Sequence, residues 1–240
     1  MPTIKERIQA VQTSVAQAAQ KAGRSDVELI AVSKTHPPEA LLQALHEGLT
    51  LFGENKVQEA RAKIPLLPGR ARWHFIGHLQ RNKVRHLLAL PFELLHGIDS
   101  LELAREIDRV AADTGAHPRI LLEVNLAAES SKFGFNPANL RPALDSLLAL
   151  SRLQIEGLMT IPPLAPEPEH SRRYFAALRS LRDEIQQEFR LPLPVLSMGM
   201  SADFPVAIEE GATLVRVGSA IFGHRSGPGW RPTADSSMLD

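Results

Sequence analysis

The chain has no cysteine and only one tyrosine, Tyr174. The lack of cysteine excludes a disulfide framework, a thiolate nucleophile and a cysteine-bound metal together. Net charge is absent too: 27 lysines and arginines balance 27 aspartates and glutamates, so no global basic field draws the chain to nucleic acid or to an anionic membrane. Nor is there an uninterrupted apolar run of the ~18 residues a membrane helix needs. The opening residues Met1 to Arg7 begin a charged amphipathic helix without the apolar centre of a secretion signal. A cytoplasmic location is therefore expected, with neither membrane nor nucleic acid as partner. No histidine, aspartate and glutamate set has metal-ligand spacing, so no metal is expected either.

A repeated unit is present instead. Residues 3 to 22 carry Ile4, Ile8, Val11, Val15, Ala18 and Ala19 at helical spacing, ending at Gly23. Val27 to Ser33 then reads as a β-branched strand, and Pro38 to Glu47 as a helix with proline at its start and Gly48 after its end. Strand followed by helix recurs. Further strands are expected at Leu49 to Gly53, Arg72 to Gly77, Glu93 to Ile98, Arg119 to Asn125, Leu153 to Met159, Pro194 to Met198 and Thr213 to Gly218. Helices are expected at Val57 to Lys63, Gln80 to Leu88, from Asp99 or Ser100 to about Thr114, Pro137 to Leu150, Glu169 to Phe189 and Phe204 to Glu210. Eight strands alternating with helices and short connections indicate an α/β fold, a single (β/α)₈ TIM barrel with an extra N-terminal helix. A doubly wound open sheet fits less well, because no glycine-rich nucleotide-binding sequence follows any strand. One domain over residues 1–240 is expected, with a loosely ordered tail from about 226 to 240 and a proline-rich surface loop at Ile161 to Pro168.

In such a barrel the C-terminal ends of the strands converge on one mouth, where the site lies. Those ends supply Lys34; Glu54 and Asn55; His74, Gly77 and His78; Asp99; Asn125; Met159 and Thr160; Ser197 to Ser201; and Arg216, Gly218 and Ser219. Lys34 follows the first strand, against an apolar floor where desolvation would free its lone pair to attack an aldehyde. The turns after strands seven and eight are small and hydroxyl-bearing, with Ser201, Gly218 and Ser219, and they occupy the usual phosphate positions of this fold. Glycines that merely make tight turns would look the same. A phosphate grip facing a lysine suits pyridoxal phosphate or a phosphorylated keto-sugar. Arg216 either approaches a pyridine nitrogen, keeping it unprotonated, or pairs with a carboxylate inside the barrel. His74, between Trp73 and Phe75, is either a hydrogen-bonded core histidine or a ligand-lining one.

Several separated motifs resemble one family. They are Ala-Val-Ser-Lys-Thr at 31–35, Phe-Gly-Glu-Asn at 52–55 with Val57, Gln58 and Glu59, Trp-His-Phe-Ile-Gly at 73–77 with Leu79, Gln80, Asn82 and Lys83, and Ser131 with Lys132. Gly-Leu-Met at 157–159, Leu-Ser-Met-Gly-Met-Ser at 196–201 and Val-Arg-Val-Gly at 215–218 with Ile221, Phe222 and Gly223 complete the set. Over nearly its whole length the chain is similar to the pyridoxal phosphate homeostasis proteins, of the alanine-racemase-like barrel type. That resemblance implies that Lys34 holds pyridoxal 5′-phosphate as an internal aldimine and that Asn55 and His74 line the ring. It further implies that Ser201, Gly218 and Ser219 take the phosphate and that Arg216 approaches the ring nitrogen. It implies a carrier that buffers the cofactor for vitamin B6 homeostasis and supplies apo-enzymes, with no catalytic residue and no robust turnover; the alternative is a weak racemase-like enzyme. The racemising relatives carry an added β-rich domain with a second base, whereas Tyr174 falls here on an expected outer helix. A monomer is expected. One departure from the family is Lys56, where many members have tyrosine, and Lys83 and Lys132 match family lysines that are further candidate aldehyde acceptors.

Overall fold

The computed structural model describes residues 2–127, 129, 132–223 and 230–232. Eight parallel strands pair in sequence order and close on themselves: β1 (Glu28–Val32), β2 (Leu51–Glu54), β3 (Arg72–Phe75), β4 (Phe92–Ile98), β5 (Arg119–Glu123), β6 (Gln154–Met159), β7 (Val195–Met200) and β8 (Leu214–Val217). Closure leaves no unpaired edge. The helices are α1 (Ile4–Lys21), α2 (Pro38–His46), α3 (Val57–Lys63), α4 (Val84–Leu88), α5 (Leu101–Thr114), α6 (Pro137–Leu148), α7 (Arg172–Phe189), α8 (Phe204–Glu209) and α9 (Ser219–Phe222). The expected TIM barrel with an extra N-terminal helix is the fold found.

Two helices begin later than their periodicity suggests. The helix expected from Gln80 opens as a 3₁₀ turn over Arg81–Lys83, and the one expected from Glu169 is preceded by a 3₁₀ turn at Pro168–Ser171. Pro168 sits at the head of that turn, where a missing N–H costs nothing. The extra helix α1 starts with a capping box, Thr3 and Glu6 each accepting from the other's backbone N–H. It packs on the barrel: Arg7 Nε donates to the Ile221 carbonyl at 2.7 Å.

Side chains divide by strand parity. Ile30, Leu51, Leu94, Leu121, Met159 and Leu214 form a small cluster inside the barrel, with Val195 packed on it. The larger core, including Ala31, Phe52, Phe75 and Leu122, lies between strands and helices. β3 contributes nothing to the inner cluster; its Arg72 instead ion-pairs with Glu28 and Glu93. Of the expected tail only 230–232 fall among the described residues; the remainder lies outside them, as does Ser131.

Candidate functional site

Strand register brings the expected residues together. β1 pairs with β8 through Ala31 and Val217, and with β2 through Val32 and Gly53. One step past Val217 is Gly218, and two steps past Val32 and Gly53 are Lys34 and Asn55. A Cβ on Gly218 would lie 3.3 Å from Val32 Cβ, so the eighth turn abuts the end of β1. Lys34 itself is exposed, on the turn after the strand. This corrects the expectation of an apolar floor: the lysine leaves the sheet at an open mouth. Asn55 Oδ1, in contrast, is buried and has no hydrogen-bond partner among the described residues, which an acceptor next to a ligand site can tolerate only if something else supplies a donor.

On the other flank of Lys34, the backbone N–H groups of Gly218 and Ala220 both donate to Ser201 Oγ, at 3.2 and 3.4 Å. Two amides converging on one oxygen form a small anion cradle. Gly199 holds the seventh turn at φ +88, where a Cβ would come within 2.5 Å of Ala207 Cβ, so no other residue fits there. Asp203 Oδ1 accepts from Met200 N–H at 2.7 Å and fixes the same turn. Ser219 is exposed at the start of α9.

Arg216 lies beneath this cradle and is 4% exposed. It donates to Ser197 Oγ at 2.5 Å and to the Thr160 carbonyl at 3.0 Å. The carboxylate partner that one sequence reading gave it is replaced by a hydroxyl and a carbonyl. Ser197 Oγ is also 2.9 Å from His96 Nδ1, and His96 Nε2 is 3.1 Å from His74 Nδ1. Arginine only donates, and Ser197 Oγ, having accepted from Arg216, still carries a proton it can give to His96. With Ser197 donating to His96 Nδ1, His96 carries its proton on Nε2 and donates to His74 Nδ1. Burial holds His96 well below the ordinary histidine range and His74 down at about 4, so both rings are neutral acceptor–donor links near pH 7. Desolvation also lowers the Arg216 guanidinium to about 10, which leaves it charged. His74 is thus a hydrogen-bonded interior histidine, joined to Arg216 through His96. His96 escaped the sequence reading, although it shares its strand face with Leu94, a parity that could have flagged it.

The opposite side of the mouth is acidic. His78 Nδ1 is 2.8 Å from Asp99 Oδ2 and its ring stacks on Phe133, centroids 3.6 Å apart. Desolvation, reinforced by Asp99, raises Glu123 from 4.5 to about 7. A carboxyl whose folded pKa lies above its unfolded value binds its proton more tightly when folded, so stability falls as pH rises from 4.5 through about 7. Glu123→Gln removes that dependence. Between about pH 5 and about pH 8 its advantage over the parent in urea unfolding should grow by ~2 kcal/mol; an advantage that stays constant would place Glu123 in water. Not every strand-end residue faces this mouth. Glu54 points outward and is 2.7 Å from Lys63 of α3, because it shares parity with the outward Phe52. Asn125 donates to the Glu129 and Lys132 carbonyls of its own loop.

The family described as "Alanine racemase, N-terminal domain" matches residues 7–226. The pyridoxal phosphate homeostasis protein of Aquifex aeolicus is 44% identical over 223 residues, covering 92% of this chain and 97% of that protein. The chain belongs to the pyridoxal phosphate homeostasis protein family. A second relative of that name, from Pseudomonas aeruginosa PAO1, is 41% identical across 94% of this chain and 97% of its own length. Among solved structures, PipY of Synechococcus elongatus PCC7942 with pyridoxal phosphate bound superposes with a TM-score of 0.81 at 40% identity, covering 92% of this chain and all of that one. Within this homeostasis family the chain's own lysines find particular surroundings. Lys56 Nζ lies 3.7 Å from Glu59 Oε1. Lys132 Nζ pairs with Glu129 at 3.0 Å, and Lys83 is half-buried on the turn before α4. Among the described residues no group of three or more histidines and carboxylates is disposed to hold a metal ion, and no helix is long and apolar enough to cross a membrane.

Proposed function

We propose that this chain binds pyridoxal 5′-phosphate through Lys34 and acts as a carrier that buffers the cofactor and releases it to apo-enzymes, without committed turnover. The observation that carries the reading is the adjacency of Lys34, at the end of β1, to the cradle in which Gly218 and Ala220 converge on Ser201. The residues fit the group. The cradle suits a phosphate, Asn55 Oδ1, with no partner among the described residues, suits a donor on the ligand, and the charged Arg216 suits an unprotonated ring nitrogen. Ser219 adds a hydroxyl at the rim. His74, linked to Arg216 through His96 and Ser197, lines the ring in this reading. When bound, the cofactor would supply an electrophilic aldehyde carbon, and Lys34 would hold it there through its amine.

A carrier must also let go. Lys34 is exposed, so water and competing amines reach the linkage, which favours exchange over catalysis. Tyr174, the one tyrosine, lies on the outer helix α7 and accepts from Arg173, away from any role as second base for racemisation. The reading extends to a cytoplasmic monomer. Borohydride treatment of the protein mixed with pyridoxal phosphate tests it: the expected product is a phosphopyridoxyl mass on the peptide bearing Lys34. A sugar-phosphate adduct after incubation with phosphorylated ketoses would instead indicate an aldolase. Sustained amino-acid racemisation at catalytic turnover would replace the carrier by an enzyme.

A further inference from the structure

The turn that bears Lys34 is held from behind by buried charge. Lys63, the last residue of α3, is fully buried, and its ammonium has three partners: Glu54 Oε1 at 2.7 Å, Glu59 Oε2 at 3.1 Å and the Ser33 carbonyl at 3.0 Å. The carboxylates reach onward into the same turn. Glu54 Oε1 accepts from Ser33 Oγ at 2.7 Å, and Glu59 Oε2 accepts from Thr35 N–H at 2.7 Å. Trp230 closes the arrangement. Its backbone N–H donates to the Thr35 carbonyl at 2.8 Å, and its ring centroid is 5.1 Å from Lys63 Nζ. Thus both peptide groups flanking Lys34 are engaged: Ser33 by Gly53 and Lys63, Thr35 by Glu59 and Trp230.

Thr35 has φ +65. A β-branched residue in the left-handed region is strained, and such strain persists only where the surroundings over-determine it. Burying a lysine with two glutamates is also a poor route to stability, since apolar side chains of similar volume do as well or better. What apolar side chains cannot do is bond the carbonyl of Ser33 and the amide of Thr35.

We propose that Lys63, Glu54, Glu59 and Trp230 are positioning residues for Lys34: they lock its turn so that the amine faces the cradle beside it. The inference rests on the proposed role of Lys34 in the preceding section. Its physical content is effective molarity, because an amine held at a fixed origin meets a tethered aldehyde far more often than one on a loose turn.

The test uses the full chain and two ligands, pyridoxal phosphate and 4′-deoxypyridoxine 5′-phosphate, which keeps ring and phosphate but cannot form an imine. In Glu59→Ala and in Trp230→Pro, which loses the N–H to the Thr35 carbonyl together with the ring over Lys63, the rate and extent of imine formation, read from its visible absorbance, should fall by about tenfold or more, while affinity for the deoxy analogue stays within about twofold. Glu59→Gln, which retains an oxygen for Thr35 N–H, should recover most of the loss. Parallel weakening of both ligands would overturn the inference by assigning the cluster to general support of the pocket, and so would unchanged imine formation in both variants. Trp230→Pro leaves the barrel interior intact and decides the matter alone if Glu59→Ala does not fold. A parent protein that binds the analogue yet forms no imine would instead sink the covalent carrier reading itself.

Discussion

Lys34→Ala should abolish the borohydride-trapped phosphopyridoxyl adduct while leaving a protein that folds normally. Lys34 is exposed on a turn and contributes nothing to either apolar core, so its truncation costs little stability. The other lysines near the site are poor substitutes. Lys63 is fully buried and triply bonded. Lys132 is tied to Glu129, and Lys56 lies 3.7 Å from Glu59. The cradle at Ser201, Gly218 and Ala220 survives the change, so non-covalent binding persists with affinity lower by at least about tenfold, ~1.4 kcal/mol. Mass spectrometry after reduction reads the covalent part and calorimetry the remainder. An adduct of undiminished yield in the variant would show that a different amine takes the aldehyde and would remove the central residue of the proposed function.

Lys34 and the cradle were legible in the sequence because they sit where local rules change. A β-branched run stopping at Lys34 before Pro37 and Pro38, and glycines beside Ser201 and Ser219 after the last two strands, are short-range signals. The eight-strand order was legible for the same reason. What escaped was decided by contacts across long stretches of chain. Lys63 meets Ser33 thirty positions away, and His96 meets Ser197 across 101. Trp230 falls in a tail that composition marks as loose, yet it bonds Thr35. The desolvation expected at Lys34 belongs instead to Lys63, Arg216 and Glu123, because parity and closure decide burial more than a residue's place at a strand end. Periodicity says which face a residue takes, and only the closed barrel says what waits there.

Lys63→Met should be the most destabilising substitution in the cluster, by about 3–5 kcal/mol. Methionine keeps the length of the stem, so lost packing accounts for less than about 1.5 kcal/mol, and the lost cation–π contact with Trp230 for roughly 0.5–2 kcal/mol. The remainder is electrostatic. Glu54 and Glu59, with side chains 0% and 5% exposed, are left facing each other without a cation. Burial already raises Glu54 above its ordinary value of 4.5, and Lys63 is the foremost influence holding it down; removing the ammonium sends it higher. A folded pKa above the unfolded one means stability that is lost as pH rises from 4.5 through the folded value. The deficit of the variant should therefore be larger at about pH 8 than at about pH 5, as measured by denaturant unfolding at both. Adding Glu54→Gln and Glu59→Gln to Lys63→Met should restore much of the loss, because the like charges disappear with their cation. A deficit that ignores pH, or that the triple substitution leaves in place, would mean that Lys63 holds the turn through shape rather than charge.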